Sequence, residues 1–117
     1  MDFSISERDN IYILKLKEDK LNTRISPDLK AQLLLMVGDE SHDKILVDLS
    51  DVKYVDSSGL GALLLGLRQA RANDKQFALV GTQKRVANLI HIAHLDGALA
   101  SFTSEEEAVA HFSQPEA

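Results

Sequence analysis

The spacing of apolar positions changes several times along the chain, and each change marks an element. Phe3 and Ile5 alternate with polar residues, Glu7-Arg8-Asp9-Asn10 is a polar turn, and Ile11 to Leu16 returns with Lys15 and Lys17 pointing away from Leu14 and Leu16. That pattern predicts an N-terminal hairpin. Ser26-Pro27-Asp28 then starts a helix, with Ser26 as N-cap, Pro27 at the first helical position and an acid in the first turn. Leu29, Leu33, Met36 and Val37 mark its core face, and Gly38 can end it.

Further on, Lys44-Ile45-Leu46-Val47-Asp48-Leu49-Ser50 has the short, nearly continuous apolar character of an interior strand. Leu60, Leu63, Leu64, Leu67 and Ala70 recur at i, i+3, i+4, i+7 spacing, which predicts a helix from Ser57 to about Asn73. Gln76 to Gly81 reads as another strand. A following helix is expected to be capped by Thr82, to carry Val86, Leu89, Ile90 and Ala93, and to stop near Gly97. A last helix, capped by Thr103 with Glu106 in capping-box position, buries Ala108, Val109 and Phe112. Residues 114–117 are expected to fray. Alternating strands and helices imply parallel neighbours, so residues 1–113 read as one α/β domain. Its sheet is mixed and mostly parallel, with an N-terminal hairpin, and about four helices cover it.

The junction Asp56-Ser57-Ser58-Gly59-Leu60-Gly61 carries the most information, because a buried strand there gives way to an amphipathic helix through two hydroxyls and two glycines. Asp56 or Ser57 is the natural N-cap. A glycine inside a helix costs on the order of 1 kcal/mol relative to alanine, less near an end, so something else must favour Gly59 and Gly61. Either the missing side chains let a partner surface or a phosphate approach the helix start, or they let the helix pack closely on its own sheet.

Together with Ile45-Leu46-Val47-Asp48-Leu49-Ser50, this junction resembles the signature of STAS domains, the family of anti-sigma-factor antagonists and of the cytoplasmic tails of sulfate transporters. The resemblance extends through 82–90 and 94–99 to the C-terminal helix. It implies that Ser57 is the serine phosphorylated by an anti-sigma factor that is also a protein kinase. By the same resemblance the chain is not an enzyme but the substrate of one. Unphosphorylated, it would bind the kinase and free a sigma factor; phosphorylated, it would be inert until a phosphatase restored it. Family members often carry Gly-x-Leu-Asp before the first long helix, whereas Asp19-Lys20-Leu21-Asn22 stands here. A STAS scaffold subunit of a transport or signalling complex, without a phosphorylation cycle, is the alternative.

Composition narrows the partners. A formal net charge of −5, with no basic tract and only 5% aromatic residues, argues against nucleic acid, whose binding needs clustered cations and stacking platforms. No apolar run approaches the roughly 20 residues that span a bilayer, and the N-terminus is not a signal peptide, so a cytoplasmic location is expected. Cysteine is absent, which removes disulfides and thiolate chemistry. No cofactor is implied.

Two parallel strands ending at Ser50 and Gly81 place the loops after them on one sheet edge, which brings Lys84 and Arg85 near Ser57. The basic pair either meets phosphate or an acidic partner patch, or is simply solvated. Asp48 is expected to serve the turn and Asp56 the switch. Gly61, Leu65 and Arg68 form a second stripe with Leu65 exposed, a candidate partner contact alongside Ser58 and Gly59. A hydrolase is disfavoured, since Val55-Asp56-Ser57-Ser58-Gly59 lacks the earlier glycine of a nucleophile elbow. His91, His94 and Asp96 lack a full metal-ligand set.

Overall fold

The computed structural model describes residues 1–113; the tail expected to fray lies outside them. In chain order the elements are β1 (Phe3–Arg8), β2 (Ile11–Leu16), β3 (Lys20–Leu21), α1 (Ser26–Gly38), β4 (Lys44–Asp48), β5 (Tyr54–Val55), α2 (Ser57–Ala72), β6 (Gln76–Val80), α3 (Lys84–Ile92), β7 (Ser101–Phe102) and α4 (Glu105–Ser113). The hairpin forms as the alternation requires. Asp9 and Asn10, at φ 51° and 67°, make a tight two-residue turn that matches the twist of the strands.

Five strands order as β1-β2-β4-β6-β7, with β1 antiparallel to β2 and every later neighbour parallel. The chain is therefore an α/β fold with a mixed, mostly parallel sheet. Central strands bury both faces, which is why they read as unbroken apolar runs. Leu14, Leu16, Ile45, Val47, Phe77 and Leu79 belong to the core with Leu29, Leu33, Met36, Leu63 and Leu67 of α1 and α2. The alternate residues Ile11, Ile13, Leu46, Ala78 and Val80 pack with Ala108 and Phe112 of α4. Phe3 and Ile5 pair opposite Leu16 and Leu14 on the edge strand. There they remain 36% and 38% exposed.

Two pairings escaped the sequence pattern: β3 with β5, and β7 with β6 on the sheet edge. The first forms a separate parallel ladder that brings the 19–22 segment against the strand leading into α2. Across the sheet edge, Gly81 adopts φ +72°, and a Cβ there would lie 2.9 Å from that of Ser50, so only glycine fits.

Helix ends differ from expectation by a residue or more. Ser26 is not the cap of α1: Ile25 precedes the helix already in right-handed helical geometry, because Asn22 C=O accepts from the N–H groups of both Ile25 and Ser26. Gln83, not Thr82, caps α3 in extended geometry, and Thr82 Oγ1 instead meets Ser101 Oγ at 2.7 Å. Helix α3 ends at Ile92 rather than near Gly97, because His94 turns left-handed at φ 60° and closes a Schellman motif. In that motif His94 N–H donates to His91 O and Leu95 N–H donates to Ile90 O, which leaves Ala93 exposed. The capping box of α4 sits one residue later than predicted. Ser104 Oγ accepts from Glu107 N–H, Glu107 accepts from Thr103, and Glu106 reaches Arg8 at 3.4 Å.

Candidate functional site

Helix α2 starts where β5 ends, and Asp56 resolves the capping question. Its Oδ1 accepts from Ser58 N–H at 2.9 Å, Gly59 N–H at 3.0 Å and the Ser58 hydroxyl at 2.6 Å. The Ser58 hydroxyl, then the Gly59 and Ser58 amides, hold the Asp56 carboxyl below its ordinary range. Asp56 N–H in turn donates to Leu21 O at 3.1 Å, fastening the helix start to β3. Ser58 is thus committed inward to the cap, while Ser57, the first helical residue, is exposed. Of two adjacent serines, Ser57 is the one whose hydroxyl faces solvent without a partner among the described residues.

The two glycines have different reasons. Gly59 is buried, and a Cβ on it would run into the backbone carbonyl of Leu21 and lie 2.8 Å from the Leu21 side chain. Close packing on the fold's own backbone explains it. A Cβ on Gly61 would meet nothing within 4 Å, so that glycine leaves an open patch of surface. Leu65, expected to be exposed, is half-buried, because α2 also buries Ala62 and Gly66 and so sinks a wider face than the leucine stripe alone marks. Arg68 is exposed on the same side as Gly61, outside the cleft described next.

A cleft of about 830 Å³ opens beside the helix start, lined by Tyr54, Asp56, Ser57, Lys84, Arg85 and Ile92 among others. The predicted convergence of Ser57 with Lys84 and Arg85 is therefore present. Tyr54, Asn88 and Ile92 were missed. The Arg85, Asn88, Leu89, Ile92 spacing was the available signal, obscured because Val86 and Ile90 lay a competing apolar stripe on the same short helix. Gln83 Nε2 donates to Ser50 O at 2.8 Å, tying the loop that carries the basic pair to the loop after β4.

Other candidates resolve into structure. Asp48 Oδ1 accepts from Ser50 N–H at 2.9 Å, the turn role expected of it. His91 Nδ1 lies 2.8 Å from Asp96 Oδ2, a pair complete in itself. No three metal-ligating side chains cluster among the described residues. None of the described helices is long and apolar enough to cross a membrane.

Comparisons with known proteins bear on the family and the fold. The family model described as "Mlab, STAS domain" matches residues 4–102. An anti-sigma-B factor antagonist of Staphylococcus epidermidis is 32% identical over 87 residues, covering 74% of this chain and 79% of the relative. Among solved structures, an anti-sigma factor antagonist from Mycobacterium paratuberculosis superposes with a TM-score of 0.86 at 18% identity, covering 97% of this chain and 94% of that one. The anti-sigma factor antagonist SpoIIAA in its unphosphorylated form gives 0.78 at 16% identity, covering 98% and 100%. SpoIIAA of Bacillus has also been solved phosphorylated. The chain belongs to the STAS-domain family of anti-sigma-factor antagonists.

Proposed function

We propose that this chain is a cytoplasmic anti-sigma-factor antagonist whose partner is an anti-sigma factor with serine kinase activity, and that Ser57 is its switch. It acts by binding and not by catalysis. The carrying observation is the division of labour between adjacent serines: Ser58 is bonded into the cap by Asp56, and Ser57 stands free at the mouth of a cleft that also holds Lys84 and Arg85. A phosphate on Ser57 adds bulk and about −1.5 to −2 charges at the mouth of that cleft. The helix N-terminus tolerates that anion, so the fold persists while the docking surface changes. A phosphatase then restores binding. The curated relatives are named as antagonists of anti-sigma-B factor, and SpoIIAA, which shares the fold, exists in both forms.

Incubation with the cognate anti-sigma kinase and ATP, followed by mass spectrometry, should place the phosphate on Ser57. Calorimetric titration should show Ser57→Ala binding normally and Ser57→Asp losing roughly a hundredfold in affinity, equivalent to about 2.8 kcal/mol. Modification at Ser58 alone, or full binding by phosphorylated protein, would overturn the switch. Binding with no modification at all would identify the chain as a scaffold.

A further inference from the structure

The same cleft specifies the segment that a partner must place in it, an inference that rests on the reading above. Its α3 wall carries Arg85, Asn88, Leu89 and Ile92, so one stripe of the helix runs from a cation to an aliphatic side chain. Val86 and Ile90 take the core-facing side. Ile92 is thereby left 72% exposed, and across the cleft Tyr54 is 41% exposed. Single exposed apolar residues are ordinary, but two large ones lining a single concavity mark a contact surface.

Charge gives the cleft a polarity. Among the described residues neither Lys84 nor Arg85 lies within ion-pair distance of a carboxylate. Helix α3 has no acid in its first turn, and Asp56, the carboxylate in the lining, is engaged in capping α2. In a chain of net charge −5, the cleft is a local cationic exception. We infer that it binds an acidic–apolar segment of the partner protein, with a carboxylate against Lys84 and Arg85 and an aliphatic or aromatic side chain against Tyr54, Leu89 and Ile92. Arg85 and Ile92 are separated by about 10 Å along α3, so the two anchors lie about two turns apart on a helix or three residues apart on a strand. Phosphate on Ser57 faces the same cations and competes with that carboxylate for them, so modification and docking exclude one another without any change of fold.

The test titrates the full isotope-labelled chain with two synthetic helical peptides. Each carries a leucine and, about two turns away, either glutamate or lysine on an otherwise neutral sequence. The glutamate peptide should shift the amide resonances of Tyr54, Ser57 and residues 84–92, and the lysine peptide should not. The double variant Lys84→Glu/Arg85→Glu should reverse the preference, and Ile92→Ser should weaken both peptides. Ser57→Asp should weaken the glutamate peptide by about tenfold, with added salt acting in the same direction. All three altered positions on α3 are exposed, and unchanged thermal melts confirm that the fold is intact. Equal binding of the two peptides, shifts confined to other surfaces, or no shift at the cleft would overturn the inference. No kinase enters this assay, so failure here leaves the Ser57 cycle standing, and failure of that cycle leaves the cleft chemistry standing.

Discussion

The carbonyl of Leu21 both accepts a hydrogen bond from Asp56 N–H at 3.1 Å and occupies the space into which a side chain at Gly59 would project. One peptide group of β3 therefore sets both the entry angle and the closeness of α2. Gly59→Ala should cost about 1–3 kcal/mol, the range for overpacking against atoms that cannot move aside. Gly61→Ala, which meets nothing, should be neutral or stabilising by up to about 1 kcal/mol through helix propensity. Urea denaturation of the two variants decides the matter, and equal losses would contradict it.

Packing depth along α2 gives a second contrast. Leu63 is fully buried and Leu67 nearly so, whereas Leu65 is half-buried. Leu63→Ala and Leu67→Ala should each lose about 2–5 kcal/mol, and Leu65→Ala distinctly less. Chemical melts that rank Leu65 with the other two would show that its side is as deeply packed as the core face.

Lys75 stitches two turns together. Its ammonium donates to the carbonyls of Asp39 at 2.5 Å and His42 at 2.8 Å, joining the turn after α2 to the one after α1. Lys75→Met keeps most of the apolar stem but strands both acceptors, and should cost about 1–3 kcal/mol. Hydrogen exchange should quicken locally at residues 39–43, and an unchanged exchange pattern there would refute the stitch.

Acid should loosen the start of α2. The Asp56 carboxyl is lowered in the folded state, chiefly by the Ser58 hydroxyl and then by the Gly59 and Ser58 amides. Its contribution is complete above the unfolded carboxylate range, near about 3.9, and is lost as pH falls through the lowered folded value. Asp39, lowered chiefly by the Ser41 hydroxyl, adds in the same sense. Asp56→Asn still caps but does not titrate there, so its stability should fall less steeply than wild type on going from neutral to acid pH. Parallel acid limbs for the two proteins would remove Asp56 from the account.

What the sequence made legible were the elements that repeat a period. The helix of Leu60, Leu63 and Leu67 and the continuous strands of Ile45 to Val47 and Phe77 to Val80 appear where their spacing puts them. Two-residue strands have no period to read, so the β3–β5 ladder was invisible, and with it the choice between the two explanations of Gly59. Caps slid because neighbouring hydroxyls compete: Thr103 and Ser104 are equally plausible in sequence, and backbone geometry selects Ser104. At the site, a basic pair and a serine on one sheet edge followed from topology alone. The exposure of Ile92 did not, since it depends on which of two apolar stripes of α3 turns inward.

The clamp of Asp56 and Leu21 on the first turn of α2 also bears on time. A hydroxyl mounted on a base with so little slack can alter the surface it presents while the backbone beneath stays still. A phosphate placed there, as proposed above, would act with no lag for refolding and would last as long as its ester escaped hydrolysis. The molecule would keep its memory in a covalent bond and leave response speed to encounter with its partners.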